Sequence, residues 1–177
     1  MNSTEPTPRP STGAADEADL SNSTILVVDD NLQNLELLEA YLDDLPCRIL
    51  TAADGVEAID VVASETVDLI LLDIMMPRMS GFEVCKKLKS APGTRSIPII
   101  MVTALNELGD IERGVECGTD DFLSKPVKKL ELLTRVKSLL RVRHLKRELD
   151  RTLAFMDQIE DAGAADAMAD DLDENDR

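Results

Sequence analysis

The sequence predicts an α/β fold: a doubly wound, five-stranded parallel sheet in the order 2-1-3-4-5, with an extended C-terminal helix. Two observations carry this. Five short apolar runs each stop at a polar residue, and each is followed by apolar residues at helical spacing. Alternation of strand and helix implies parallel strands covered by helices on both faces. Right-handed crossovers then leave few possible strand orders, and 2-1-3-4-5 suits five strands.

Ile25–Val28 (ILVV) is the first strand and stops at Asp29-Asp30. An unbroken apolar run of this kind reads as a strand buried on both faces. Asn31 precedes a helix with Leu32, Leu35, Leu38 and Leu42 on its apolar positions. Arg48–Thr51 is the second strand, and Asp54-Gly55 turns the chain into a helix carrying Val56, Ile59 and Val62. Val67–Leu72 is the third strand and stops at Asp73. Pro77 and Gly81 punctuate a loop before the helix with Val84 and Leu88. Ile97–Val102 is the fourth strand and stops at Thr103; a helix follows and ends near Gly118. Asp121–Ser124 is the fifth strand, stopping at Lys125-Pro126, and a long helix begins near Val127.

The chain has 177 residues and a formal charge of −16, with 44% hydrophobic residues but only 2% aromatic ones, so the core is aliphatic. The acidity is concentrated at the ends. Residues 1–24 carry a net −3, residues 157–177 a net −8, and the middle only −5. The Pro-, Ser- and Thr-rich segment 1–24 and the acidic segment 161–177 bury too little apolar surface to offset their ordering entropy, which predicts disordered tails. The acidic balance argues against nucleic-acid binding. No apolar run reaches the roughly 18 residues of a membrane span, and the start of the chain lacks a secretory signal pattern. Cys47, Cys85 and Cys117 are too few and too scattered for a disulfide framework or a zinc site, which predicts reduced thiols in a cytoplasmic protein.

In doubly wound sheets, sites form beyond the carboxyl ends of the strands. The residues there are Asp29, Asp30, Asp73, Thr103 and Lys125: three carboxylates, a hydroxyl and an ammonium. Two carboxylates about 4 Å apart repel by roughly 4 kcal/mol at an effective dielectric of 20. Three of them call for a cation, and an all-oxygen set with open positions suits Mg²⁺. A carboxylate beside such an ion, with a Lys and a hydroxyl nearby, can accept a phosphoryl group as an acyl phosphate.

Residues 25–143 resemble the receiver domain of two-component response regulators, which has a flavodoxin-like fold. The resemblance rests on Val27-Val-Asp-Asp30, Leu72-Asp-Ile-Met-Met-Pro77 with Ser80-Gly81, Val102-Thr-Ala104 and Phe122-Leu-Ser-Lys-Pro126. It implies that Asp73 is the phosphoacceptor, that Asp30 binds Mg²⁺ directly, and that Asp29 assists. The backbone carbonyl of Met75 would be the third protein ligand. Lys125 would pair with the phosphoryl group, and Pro126 would follow through a cis bond. Thr103 and Phe122 would form a switch pair, altering the face made by the fourth helix, fifth strand and fifth helix. Met75 and Leu105 border the expected path of hydrolytic water; both are apolar, which predicts slow self-dephosphorylation.

Residues 128–151 carry nine bases and three acids. Leu133, Val136 and Leu140 are expected to pack on the sheet. Beyond them Val142, Leu145, Leu149, Thr152, Met156 and Ile159 recur at spacings of 3, 4, 3, 4 and 3, a heptad seam over the helical extension 144–160. This predicts a helix that dimerises or docks on a protein partner; the alternative is a solvated helix whose bases meet the acidic tail of the same chain. The wording around residues 118–140 looks like receivers at the front of diguanylate cyclases, yet the residues after the helix are too few for a catalytic domain.

The expectation is therefore a stand-alone response regulator, phosphorylated by a sensor histidine kinase or phosphotransfer protein. It would signal through a changed surface to a downstream protein partner and would have no small-molecule substrate of its own. The rival functions are a scaffold assembled through the C-terminal helix and a phosphorelay intermediate or phosphate sink.

Overall fold

The computed structural model describes the backbone of residues 20–104 and 108–173. Among the described residues, five strands, β1 (Thr24–Val28), β2 (Arg48–Ala52), β3 (Leu69–Asp73), β4 (Ile99–Thr103) and β5 (Asp121–Ser124), alternate with the helices that follow them. The helices are α1 (Leu32–Leu42), α2 (Gly55–Ser64), α3 (Gly81–Ser90), α4 (Leu108–Cys117) and α5 (Lys129–Asp173). All strand pairings are parallel, in the order β2-β1-β3-β4-β5.

The apolar runs dictate the layers. Every residue of β1, β3 and β4 is buried, whereas the edge strands β2 and β5 are only partly so. Alternate side chains serve opposite faces. Ile25, Val27, Leu69, Leu71, Ile100 and Val102 pack with Leu35, Leu38 and Leu42 of α1 and with Leu132, Val136 and Leu140 of α5. Leu26, Val28, Ile70, Leu72, Ile99 and Met101 pack instead with Ala58 and Val62 of α2 and with Val84, Cys85 and Leu88 of α3. Each fully buried Leu or Ile contributes about 2 kcal/mol of transfer free energy.

Local chemistry starts the helices. Asn31 caps α1 by accepting from the Gln33 N–H, and Asp54 caps α2 by accepting from the Val56 and Glu57 N–H groups. Ser80 and Glu83 form a reciprocal capping box at α3. Hydrogen bonds from the Ser80 backbone and side chain hold the Glu83 carboxyl below the usual carboxylate range.

The structure departs from the sequence expectations in four places. Leu20, Ser23 and Thr24 are buried, so the residues just before β1 belong to the fold and not to the tail. β3 and β4 begin two residues later than their apolar runs, and Val67 and Ile97 are buried in the segments that lead into the strands. In α5, Leu132 joins Val136 and Leu140 as a fully buried residue, while Leu133, the expected contact, packs against the same cluster and is only partly buried. Finally, α5 runs to Asp173, past residue 160, where composition predicts a disordered tail; alanines recur between 162 and 169 and favour helix. By contacts the chain forms two units, 1–143 and 144–177.

Candidate functional site

Strand register brings the site together. Val28 of β1 pairs with Leu72 of β3, so Asp29 follows its strand beside Asp73, the last residue of β3. Ser124 pairs with Thr103, and the Lys125 N–H donates to the Thr103 carbonyl at 2.8 Å, setting Lys125 past the end of β5. The Lys125–Pro126 bond is cis, as the resemblance implied.

One carboxylate oxygen from each of Asp29, Asp30 and Asp73 lies within 4.8 Å of the others. Asp29 and Asp73 are buried, and Asp30 is exposed at the mouth. The Lys125 ammonium lies 2.8 Å from Asp29 and 3.0 Å from Asp73. Burial pushes the Asp73 carboxyl above the ordinary carboxylate range. The Lys125 hydrogen bond and charge pull it back, while the charges of Asp29 and Asp30 add to the rise. Burial alone would lower the Lys125 pKa, but its hydrogen bonds to Asp29 and Asp73 outweigh this and raise it. The cluster thus holds more negative charge than its one ammonium balances, and an oxygen-seeking dication fits the donor set. Among the described residues no other such group of potential metal ligands is present.

Two features beyond the strand ends shape the cluster. Asn34, one turn into α1, donates its side-chain amide to both Asp29 oxygens at 3.0 Å, and the Asn31 N–H adds a bond of 2.9 Å. Gly81 opens α3 directly against the back of the acceptor strand. Its N–H donates to the Ile74 carbonyl at 3.0 Å, and a Cβ there would collide with the Asp73 carbonyl oxygen.

The remaining predicted residues fall as follows. Thr103 ends β4 and is buried. Phe122 pairs with Met101 and is half-buried on the α2–α3 side of the sheet, where a Cβ on Gly114 would collide with its ring. Met75 sits in the loop after Asp73 with its side chain exposed. Leu105 lies outside the described residues.

Sequence reasoning missed three side chains. Asn34 reads as an ordinary polar helix position, and its only signal is its place in the first turn after Asp29-Asp30. Arg78, in the acceptor loop at φ 67°, forms an ion pair with Asp54, the α2 cap. A positive φ is unusual for a residue other than glycine. Arg143, which sequence alone groups with the surface bases, is buried at the opposite edge of the sheet.

This arrangement defines a CheY-like α/β module with an acidic cluster and one lysine at the carboxyl edge of its sheet. Residues 25–137 match the family model for the response regulator receiver domain, and the chain belongs to that family. It is 47% identical over 128 residues to the response regulator PleD of Caulobacter vibrioides, a match covering 72% of this chain and 28% of PleD. It is 42% identical over 120 residues to PhoP, the alkaline phosphatase synthesis transcriptional regulatory protein of Bacillus subtilis, covering 68% of this chain and 49% of PhoP. The chain thus spans half or less of these relatives. Among solved structures it resembles the receiver domain of a histidine kinase from Syntrophus aciditrophicus (37% identity, TM-score 0.64, covering 68% of this chain and 91% of that one). It also resembles the receiver domain of a sensor histidine kinase from Pseudomonas aeruginosa with a magnesium ion in its active-site cleft (32% identity, TM-score 0.63, covering 67% and 98%). No helix among the described residues is long and apolar enough to cross a membrane.

Proposed function

We propose that this chain is a response regulator that accepts a phosphoryl group on Asp73 from a sensor histidine kinase or phosphotransfer protein, in a reaction dependent on Mg²⁺. The observation that carries this is the placement of Asp73 at the carboxyl end of the central strand, 3.0 Å from Lys125 and clustered with Asp29 and Asp30.

An Asp73 carboxylate oxygen attacks phosphorus. The P–N bond of the donor phosphohistidine breaks as the acyl phosphate forms, and the electron pair returns to the imidazole nitrogen, which takes up a proton. Lys125 pairs with a phosphoryl oxygen, and the Thr103 hydroxyl donates to another. Asp29, Asp30, Asp73 and the Met75 carbonyl would hold Mg²⁺, which would supply charge neutralisation at the phosphoryl oxygens. The apolar side chains of Met75 and Leu105 cannot orient a water, so the acyl phosphate is long-lived.

The signal leaves through the surface around Phe122, whose ring follows Thr103, toward a downstream protein partner. No small-molecule product is formed. The free thiols support a cytoplasmic setting. We place the receiver at 25–143, with the buried residues from Leu20 leading into it, and the helical extension from 144 through 160 into the acidic segment that α5 continues to Asp173.

The test is incubation of the full chain with acetyl phosphate, with and without Mg²⁺, followed by peptide mass spectrometry. A phosphate on the Asp73 peptide is expected only with Mg²⁺ and not in D73N. Modification of D73N would overturn the assignment. The relay alternative predicts passage of label from Asp73 to a histidine protein, and the scaffold alternative predicts full function in D73A.

A further inference from the structure

The part of α5 beyond residue 141 carries large apolar side chains that are mostly exposed among the described residues. Val142, Leu145, Leu149, Met156 and Ile159, with Leu153 and Phe155 beside them, are each 50–63% exposed. So long an apolar stripe on one helix marks an interaction surface. The heptad spacing matches another helix, because knobs at 3, 4, 3, 4 intervals fill the holes of a coiled-coil partner. Thr152, the one polar seam residue, already donates its hydroxyl to the Glu148 carbonyl at 2.9 Å, so its methyl can face a partner without stranding a donor.

We infer that the partner is a second copy of the same helix, running antiparallel. Charge decides both the partner and the direction. Residues 141–151 hold five bases and two acids, and residues 157–173 hold seven acids and no base. A parallel in-register pair would set the basic stretch beside itself and the acidic stretch beside itself. An antiparallel pair that matches the two ends of the seam brings Val142 to Ile159, Leu145 to Met156 and Leu149 to Thr152 of the second copy. Residues 141–151 then lie alongside 150–160 of the other copy, which holds Asp150, Asp157 and Glu160 against the single base Arg151. The helix is complementary to itself under a two-fold axis, as an isologous dimer requires. The acidic end disfavours anionic lipid as the alternative occupant. The seam is about 27 Å long, so the pair is a modest one. The inference goes beyond phosphotransfer and needs no step at Asp73.

The experiment is sedimentation equilibrium on the full chain. A dimer is expected at about 100 μM. Raising NaCl from about 0.05 M to about 0.5 M should weaken it about fivefold, because salt screens attraction between unlike stretches. Strengthening by salt would indicate the parallel pair and overturn the inference, as would a monomer throughout. L149E should abolish the dimer while keeping its circular dichroism and its phosphoryl acceptance at Asp73; an unchanged L149E dimer would place the interface elsewhere. Direction is read by mild oxidation of L145C and M156C chains, with the wild type as control for Cys47, Cys85 and Cys117. Disulfides joining one variant to the other are expected in the mixture, whereas self-pairing of each variant alone would mean parallel helices. D73N should dimerise as the wild type does, so failed phosphotransfer and failed assembly are separate results.

Discussion

The two edges of the sheet both bury charge, and they do so in opposite ways. At the carboxyl edge, three carboxylates share one lysine, and burial raises the Asp73 pKa. At the amino edge one buried arginine meets one buried carboxylate. Arg143 Nε lies 3.5 Å from Asp68, and its Nη1 donates to the Ser96 carbonyl at 2.6 Å and to the Ser96 hydroxyl at 3.2 Å. Its Nη2 donates to the Val67 carbonyl at 3.3 Å, and the other Asp68 oxygen accepts from the Thr24 N–H at 2.9 Å. The amino edge is neutral and ties α5 to the entrances of β1, β3 and β4. The carboxyl edge is left with excess negative charge. Balanced buried charge serves the fold, whereas unbalanced charge is held ready for a ligand.

Asp73→Asn tests the difference most sharply. Phosphoryl acceptance should vanish, yet in EDTA at neutral pH the protein should be more stable than the wild type. The sign follows from the raised pKa: the folded state bears a cost only where Asp73 is ionised, and Asn removes it. The gain should shrink as pH falls and Asp73 takes up its proton. Urea unfolding at neutral and acid pH checks this; a destabilised D73N at neutral pH would contradict it.

Arg143→Ala should do the reverse. Leaving Asp68 buried without its cation should cost about 3 kcal/mol or more. Phosphoryl acceptance under native conditions should be unchanged. A second change, Asp68→Asn, should restore part of the loss, as a double-mutant cycle in urea would show.

Gly81→Ala lies between the two kinds of effect. The added methyl pushes on the Asp73 carbonyl, so a stability loss of about 1–3 kcal/mol should come with slower phosphoryl acceptance. A variant that loses stability and keeps its rate would show that the acceptor tolerates movement of its backbone. The smallest effect belongs to Ser80→Ala, which removes an exposed helix cap and its hydrogen bond to the Glu83 carboxylate. It should cost about 1 kcal/mol and leave the acceptance rate alone.

Much of the carboxyl edge was legible in the sequence. Asp29, Asp30, Asp73, Thr103 and Lys125 each follow or end an apolar run, and a parallel sheet sends all such ends one way. Phe122 is singled out only through the family resemblance. The amino edge was not. Asp68 lies inside an apolar run and was read as part of the strand, and Arg143 lies among surface bases 75 residues away. The Arg78–Asp54 pair escaped for the same reason, since its two residues lie on different elements; Asn34 is close to Asp29 in sequence and escaped because it reads as an ordinary polar helix position.

The sequence by itself determined the order of strands and helices, the layers of the core and the charged residues gathered at one edge. Strand length and apolar periodicity are local properties, and a right-handed parallel sheet converts them into position. Only the tertiary structure decided which charges are paired. An ion pair depends on distance and burial between segments far apart in the chain, and one composition yields either a balanced lock or an unbalanced site. Tertiary packing alone distinguished Arg143, enclosed at the foot of the sheet, from Lys125, set among three carboxylates at its top.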